Sequence, residues 1–165
     1  MKLRMLALSI AALLVAHVTG ADPIEPSRQP SEKGQPVLVV LDTSVGIVLP
    51  RGGTLWGHET VWEPDAKDVK RAEKSISAFL RANAPTLADH LTAYVRQYSG
   101  VVEGGRRKIY CSFLHETHFQ NGGIRENIKR LSVGIVHNDG GDHFFRLLYD
   151  PETDSCSELA VNGDA

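Results

Sequence analysis

From Pro64 to Asn83 apolar residues recur at spacings of three and four, and beyond Tyr94 the period switches to two. Ala66, Val69, Ala72, Ile76, Phe79 and Leu80 fall on one face of a helix, so this segment must bury that face against something. Pro64 suits a first helical turn, Asp65 and Asp68 match the positive end of the helix dipole, and Arg81 matches the negative end. A shorter helix is expected from Thr86 to about Thr92, with Thr86 and Asp89 spaced as in a capping box. Leu87, Leu91, Tyr94 and Tyr98 extend the helical spacing, whereas Tyr94–Val102 also alternates as a strand.

The remainder reads as strands and turns. Tyr94–Val102 and Arg107–Leu114 flank Glu103-Gly104-Gly105, a hairpin connection. Arg130–His137 and His143–Tyr149 flank Asn138-Asp139-Gly140-Gly141, and Ser155–Val161 follows the turn at Asp150-Pro151-Glu152-Thr153. Upstream, Val37–Leu41 and Val45–Leu49 form either one long bent strand or a tight pair. Alternation with one mostly apolar set implies a sheet with one face covered by the helix. The expected fold is α+β: an amphipathic N-terminal helix on an antiparallel, mostly meandering sheet.

Three segments are expected along the 165 residues. Met1-Lys2-Leu3-Arg4, the uncharged apolar run Met5–Val18 and small residues at Gly20-Ala21 make residues 1–21 a secretory signal peptide. That run is too short for a membrane span, so none is expected after cleavage. Residues 22–36, rich in Pro, Glu, Ser, Gln and Gly, read as a flexible linker, and 37–165 as a single α+β domain. Export implies a periplasmic or secreted protein. Without Lys2 and Arg4 the mature chain carries 16 basic and 20 acidic residues, a net charge near −4. Such a chain lacks the concentrated positive charge of a nucleic-acid binder.

Four sets of residues invite a chemical reading. Tyr94, Arg96 and Tyr98 alternate onto one strand face, with Tyr110 on the adjacent strand, an aromatic-cationic surface suited to a partner or a sugar; cross-strand packing within the sheet is the competing reading. Lys67, Lys70, Arg71, Lys74 and Arg81 occupy one arc of the long helix, opposite its apolar face. That arc suits lipid phosphates, an acidic partner or an anionic cell-wall polymer, against the alternative of a solvated face. His115, His118, His137 and His143 are four imidazoles within a short span, with His137 and His143 facing each other if their hairpin forms. Such a set suits zinc or copper. Cys111 and Cys156 are an even pair in an oxidising compartment, which favours a disulfide worth about 4 kcal/mol if the strands bring them within reach.

Leu41-Asp42-Thr43-Ser44 invites comparison with the aspartic-protease loop, but Ser44 stands where that loop needs glycine and no second copy exists. His115-Glu116-Thr117-His118 is one residue too short for the helical zinc-protease motif. No nucleophile with an oriented base emerges, so an enzyme is not expected and a hydrolase is a residual alternative. No resident cofactor is implied unless the histidines take zinc or copper. The expected role is a binding or interaction module for a protein or envelope component.

The segment Tyr94-Val95-Arg96-Gln97-Tyr98-Ser99-Gly100, the run from Gly105 to Tyr110, Gly140-Gly141 with Phe144-Phe145, Tyr149-Asp150, and Leu159 with Asn162-Gly163 and Ala165 resemble a group of small exported bacterial proteins of unknown function. The resemblance spans Trp62 to Ala165 and rests on turn and core residues, so it implies a shared fold and no activity. Cys stands in that group where His143 stands here, which weakens any disulfide taken from the resemblance.

Overall fold

A computed structural model describes residues 36–41, 45–119, 134–135 and 140–163 of the chain. The expected signal peptide, nearly all of the linker, Asp42-Thr43-Ser44, Arg130–Val133, Val136 to Asp139 (with His137) and Ala165 lie outside the described residues. Strand β1 (Val37–Val40) pairs antiparallel with β2 (Val45–Val48), Val37 opposite Val48, so the N-terminal β-branched runs form a tight pair. A small hairpin follows, β3 (Thr54–Leu55) with β4 (His58–Glu59). Helix α1 (Ala66–Asn83) and the short α2 (Pro85–Asp89) then return the chain to β5 (Tyr94–Glu103). Strands β6 (Arg106–His115), β7 (Phe144–Asp150) and β8 (Ser155–Val161) complete a six-stranded sheet in the order β1-β2-β5-β6-β7-β8.

The sheet is mostly antiparallel, with one departure from a meander. Strands β2 and β5 run parallel, Gly46 opposite Arg96 and Val48 opposite Tyr98. Parallel neighbours need a crossover of a dozen or more residues, and α1 with α2 supplies it. A second correction concerns Arg130–His137, expected to form a hairpin with His143–Tyr149. Both sides of β7 are already taken, by β6 (Phe113 opposite Phe145) and β8 (Tyr149 opposite Cys156), leaving no ladder for a third strand. Gly134 and Ile135 lie outside any strand, and Ile135 N donates to Gln97 Oε1 at 3.1 Å.

Both faces of the sheet are buried, not one. Tyr98, Cys111 and Leu147 are register neighbours and face α1 with Ile109, Phe113, Phe145 and Tyr149. Val69, Ala72, Ile76 and Leu80 meet them from the helix, as the three-and-four spacing requires. The intervening residues Val95, Val101, Tyr110, Leu114, Phe144 and Leu148 pack on the other face with Leu55 of β3, Trp56 and Ile135. Trp56 donates its indole N–H to Ser112 Oγ at 3.3 Å, and the Arg146 guanidinium stacks 4.1 Å over its ring.

Local chemistry fixes the ends of these elements. The N-cap of α1 is Asp65, whose carboxylate accepts from the Lys67 and Asp68 N–H groups while Asp68 reaches back to the Asp65 N–H. Pro64 therefore precedes the helix and does not open its first turn. Helix α2 begins with Pro85 in its first turn and carries no side-chain cap, so the Thr86/Asp89 box does not form. A 3₁₀ turn at Leu91–Ala93 ends the helical region, and Tyr94 onward is strand. Gly104 and Gly105, at φ +56° and +77°, make the two-residue turn between β5 and β6.

Gly100 holds the closest approach in the sheet. A Cβ there would sit 2.1 Å from the Trp62 carbonyl oxygen, because the Gly100 carbonyl accepts from the Val61 and Trp62 N–H groups. The Trp62 indole N–H donates to Val101 O at 3.0 Å and locks the segment leading into α1. Gly100→Ala is expected to destabilise the protein by about 1–3 kcal/mol. Urea denaturation of the mature chain reads this, and an unchanged midpoint would mean the Trp62 strap moves aside freely.

Candidate functional site

A cavity of about 570 Å³ opens between α1, α2 and the end of β1. Helix α1 lines it with Lys70, Glu73, Lys74, Ser77 and Arg81, which fall along one flank of the helix beside its buried stripe. Val40 and Leu41 close one side, Ala88, Leu91 and Thr92 another, and Arg96 of β5 lies at the base. The volume is that of a pocket for a drug-sized molecule.

The base of this cleft is an ion pair in the core. Arg96 Nε lies 3.0 Å from Glu73 Oε2, with its N–H not aligned for a hydrogen bond. The two terminal nitrogens donate to backbone carbonyls, Nη1 to Tyr94 O at 3.1 Å and Nη2 to Leu91 O at 2.8 Å. Tyr98 OH donates to the other carboxylate oxygen of Glu73 at 2.7 Å. Burial raises the Glu73 carboxyl above its ordinary value, opposed by the Arg96 charge and the Tyr98 hydroxyl. Burial, followed by the Glu73 charge, likewise drives the Tyr98 phenol well up. Arg96 is thus committed to holding α1 and the Leu91–Ala93 turn on β5.

The mouth is different. Lys70, Lys74 and Arg81 are exposed, and none forms an ion pair with a described carboxylate. Glu73 is spent on Arg96, so these three cations set the charge of the cleft. The expected basic arc therefore divides. Lys70, Lys74 and Arg81 share the cleft, Lys67 is exposed outside its lining, and Arg71 turns away to donate to Pro151 O at 3.0 Å. Ser75 joins Arg71 on that side, donating to Asp154 Oδ1 at 2.8 Å, which clamps the β7–β8 turn to the helix.

The tyrosine surface requires correction. Tyr94, Arg96 and Tyr98 share a face as alternation predicts, but that face is covered by α1, and they are only 3%, 2% and 0% exposed. Tyr110 opposes Ser99 and so belongs to the other face, where its ring lies 4.7 Å from that of His58. These four form no common binding surface. Tyr94 OH donates to Asp142 O at 2.7 Å, and burial with the Asp142 charge pushes its phenol up to about 12.

The structure brings three of the four histidines together at one end of the sheet. His118 Nε2 and His143 Nδ1 are 3.2 Å apart, and the His115 ring stacks on His143 at 4.9 Å. His115 Nδ1 is engaged with Thr117 Oγ1 at 3.0 Å. Among the described residues no group of three or more His, Cys, Asp or Glu is placed to hold a metal ion.

The expected disulfide is also corrected. Cys111 and Cys156 are free thiols, on β6 and β8 with β7 between them. Two strand spacings amount to roughly 9–10 Å, beyond the reach of a bridge. Burial drives the Cys111 thiol well up and, with Asp154, pushes Cys156 up to about 12, so neither is a thiolate at neutral pH.

Sequence reasoning missed Glu73. Its signal was a lone acid four residues after Val69 and three before Ile76, at the margin of the apolar stripe. No family model, curated protein or solved structure matches the chain. No helix among the described residues is long and apolar enough to cross a membrane.

Because the folded state raises the affinity of Glu73 for its proton, stability from this group is greatest below the ordinary carboxyl range. It is lost as pH rises through the raised value. Relative to Glu73→Gln, the wild type is expected to lose stability progressively as pH rises from the ordinary carboxyl range, about pH 4, towards neutrality. Thermal denaturation of both proteins across that range checks this; a difference of opposite slope would show that Arg96 and not burial governs the carboxyl.

Proposed function

We propose that this protein is an exported, non-enzymatic binding module that takes an anionic partner in the cleft between α1 and β1. The observation that carries this reading is the concentration of Lys70, Lys74 and Arg81 at the mouth of one cavity, none of them in an ion pair with a described carboxylate. Like charges three and four residues apart on a helix cost a few tenths of a kcal/mol per pair. A chain with net charge −2 that concentrates positive charge there gains an anion-attracting surface for that cost. The basic start and apolar run of residues 1–21 support export.

Two measurements test the reading. Expression of the full chain should yield an extracytoplasmic product lacking residues 1–21; an uncleaved cytosolic product overturns export. In a thermal-shift panel of anionic and neutral compounds, anionic members alone should raise Tm, and Lys74→Glu with Arg81→Glu should abolish the shift. A panel without any anion-dependent shift removes the cleft as a binding site.

A second reading rests on the 3.2 Å approach of His118 Nε2 to His143 Nδ1, a separation two nitrogen ligands of one tetrahedral metal would adopt. Zinc and copper titrations decide it. Micromolar binding lost in His143→Ala supports a metal role, and millimolar affinity or indifference to that substitution removes it.

A further inference from the structure

The cleft adjoins a sheet edge that no described strand covers, and together they favour one kind of occupant. Strand β1 is the first strand of the six, so one side pairs with β2 and the other meets no described strand. Its backbone N–H and C=O groups on that side form a template for another strand. Two of its four side chains are exposed apolar groups, Leu38 at 47% and Val40 at 66%, and β1 carries no charge or proline to repel pairing. Val40 also lines the cleft that holds Lys70, Lys74 and Arg81.

The cations form a row, not a point. At 1.5 Å rise per residue, Lys70 and Lys74 are about 6 Å apart along the axis, and Arg81 lies about 10 Å further. An extended peptide rises about 3.3 Å per residue, so acidic side chains two residues apart stand about 6.6 Å apart on one face. That spacing suits Lys70 and Lys74, and Arg81 has the reach to take a third carboxylate further along. A single small anion bridged by Lys70 and Lys74 would leave Arg81, about 10 Å further along the axis, unused.

We infer that the partner is an acidic polypeptide segment in extended conformation, adding a strand to the free edge of β1 while its carboxylates meet Lys70, Lys74 and Arg81. This rests on the cleft reading above and names the partner's chemistry. Main-chain hydrogen bonds to β1 supply affinity, and the cation row selects acidic over basic sequences.

The test is fluorescence anisotropy of the mature protein with a labelled peptide of alternating Glu and Thr. Binding should weaken roughly tenfold or more when alternate peptide nitrogens of the set facing β1 are methylated, which removes the donors and keeps every charge. It should weaken similarly in Lys74→Glu with Arg81→Glu, and little in Lys67→Glu with Arg51→Glu, an equal charge change outside the cleft. Circular dichroism confirms that both variants fold. Equal binding of both N-methylated peptide sets, or tighter binding of an oligogalacturonate of matched charge, overturns strand addition while leaving an anion-binding cleft. Loss of binding in both charge variants alike, or no binding of either probe, overturns the cleft reading as well.

Discussion

The contact between Glu73 and Arg96 is the point where helix, sheet and connection meet. Arg96 is almost wholly buried, and a guanidinium removed from water must find partners for its charge and its N–H groups. Its terminal nitrogens take the Leu91 and Tyr94 carbonyls where the 3₁₀ turn gives way to β5, with Leu91 O also accepting the Tyr94 N–H. Glu73 supplies the countercharge, and Tyr98 fills the other carboxylate oxygen. Buried ion pairs are weak sources of net stability, and their better-attested use is to reject alternative registers. Here any rotation of α1 that carried Glu73 away would strand Arg96, so one rotational setting of the helix is fixed. That setting is what places Lys70, Lys74 and Arg81 along the cleft.

The crossover has a second consequence. Placing β2 beside β5 gives β5 neighbours on both sides and leaves β1 and β8 as the edges. Those edges are unequal. Strand β8 is flanked by a turn clamped to α1, where Asp154 accepts from both Ser75 and Tyr149. Strand β1 is short, uncharged and β-branched, and among the described residues nothing pairs with its outer side. Among the described residues, neither a charge nor a proline within β1 blunts the edge nearest the cations.

Much of the architecture was legible because it is local. The buried stripe of α1, the Gly104-Gly105 hairpin and the Asp150 turn, whose carboxylate accepts from Glu152 and Thr153 N–H groups, each declare themselves within a few residues. What was hidden is non-local. Alternation gives the face of a residue but not what covers that face, so Tyr94, Arg96 and Tyr98 looked like a surface when α1 lies over them. The β2–β5 pairing spans 46 to 96 in sequence, and no turn signal records it. Arg130–His137 alternates like a strand, yet both ladders of β7 were claimed by partners that pattern alone cannot rank. The basic arc was visible as a whole, but its division between a cleft and the β7–β8 turn depends on where the sheet ends.

That division bears on how a weakly acidic protein can hold a cationic site. Arg71 is used structurally on the β7–β8 turn, where hydrogen bonds from the Tyr149 and Ser75 hydroxyls, and after them the Arg71 and Lys74 charges, hold the Asp154 carboxyl below its ordinary value. Glu73 lies on the same flank as the three mouth cations and would neutralise one of them if it were free to swing outward. Arg96 prevents this by holding its carboxylate inward. The core ion pair therefore acts twice, setting the helix on the sheet and withdrawing the one acid that lines the cleft. Fold and charge pattern are coupled through a single side chain, so substitutions at Arg96 that spare the fold would still release Glu73 and lower the positive potential of the mouth.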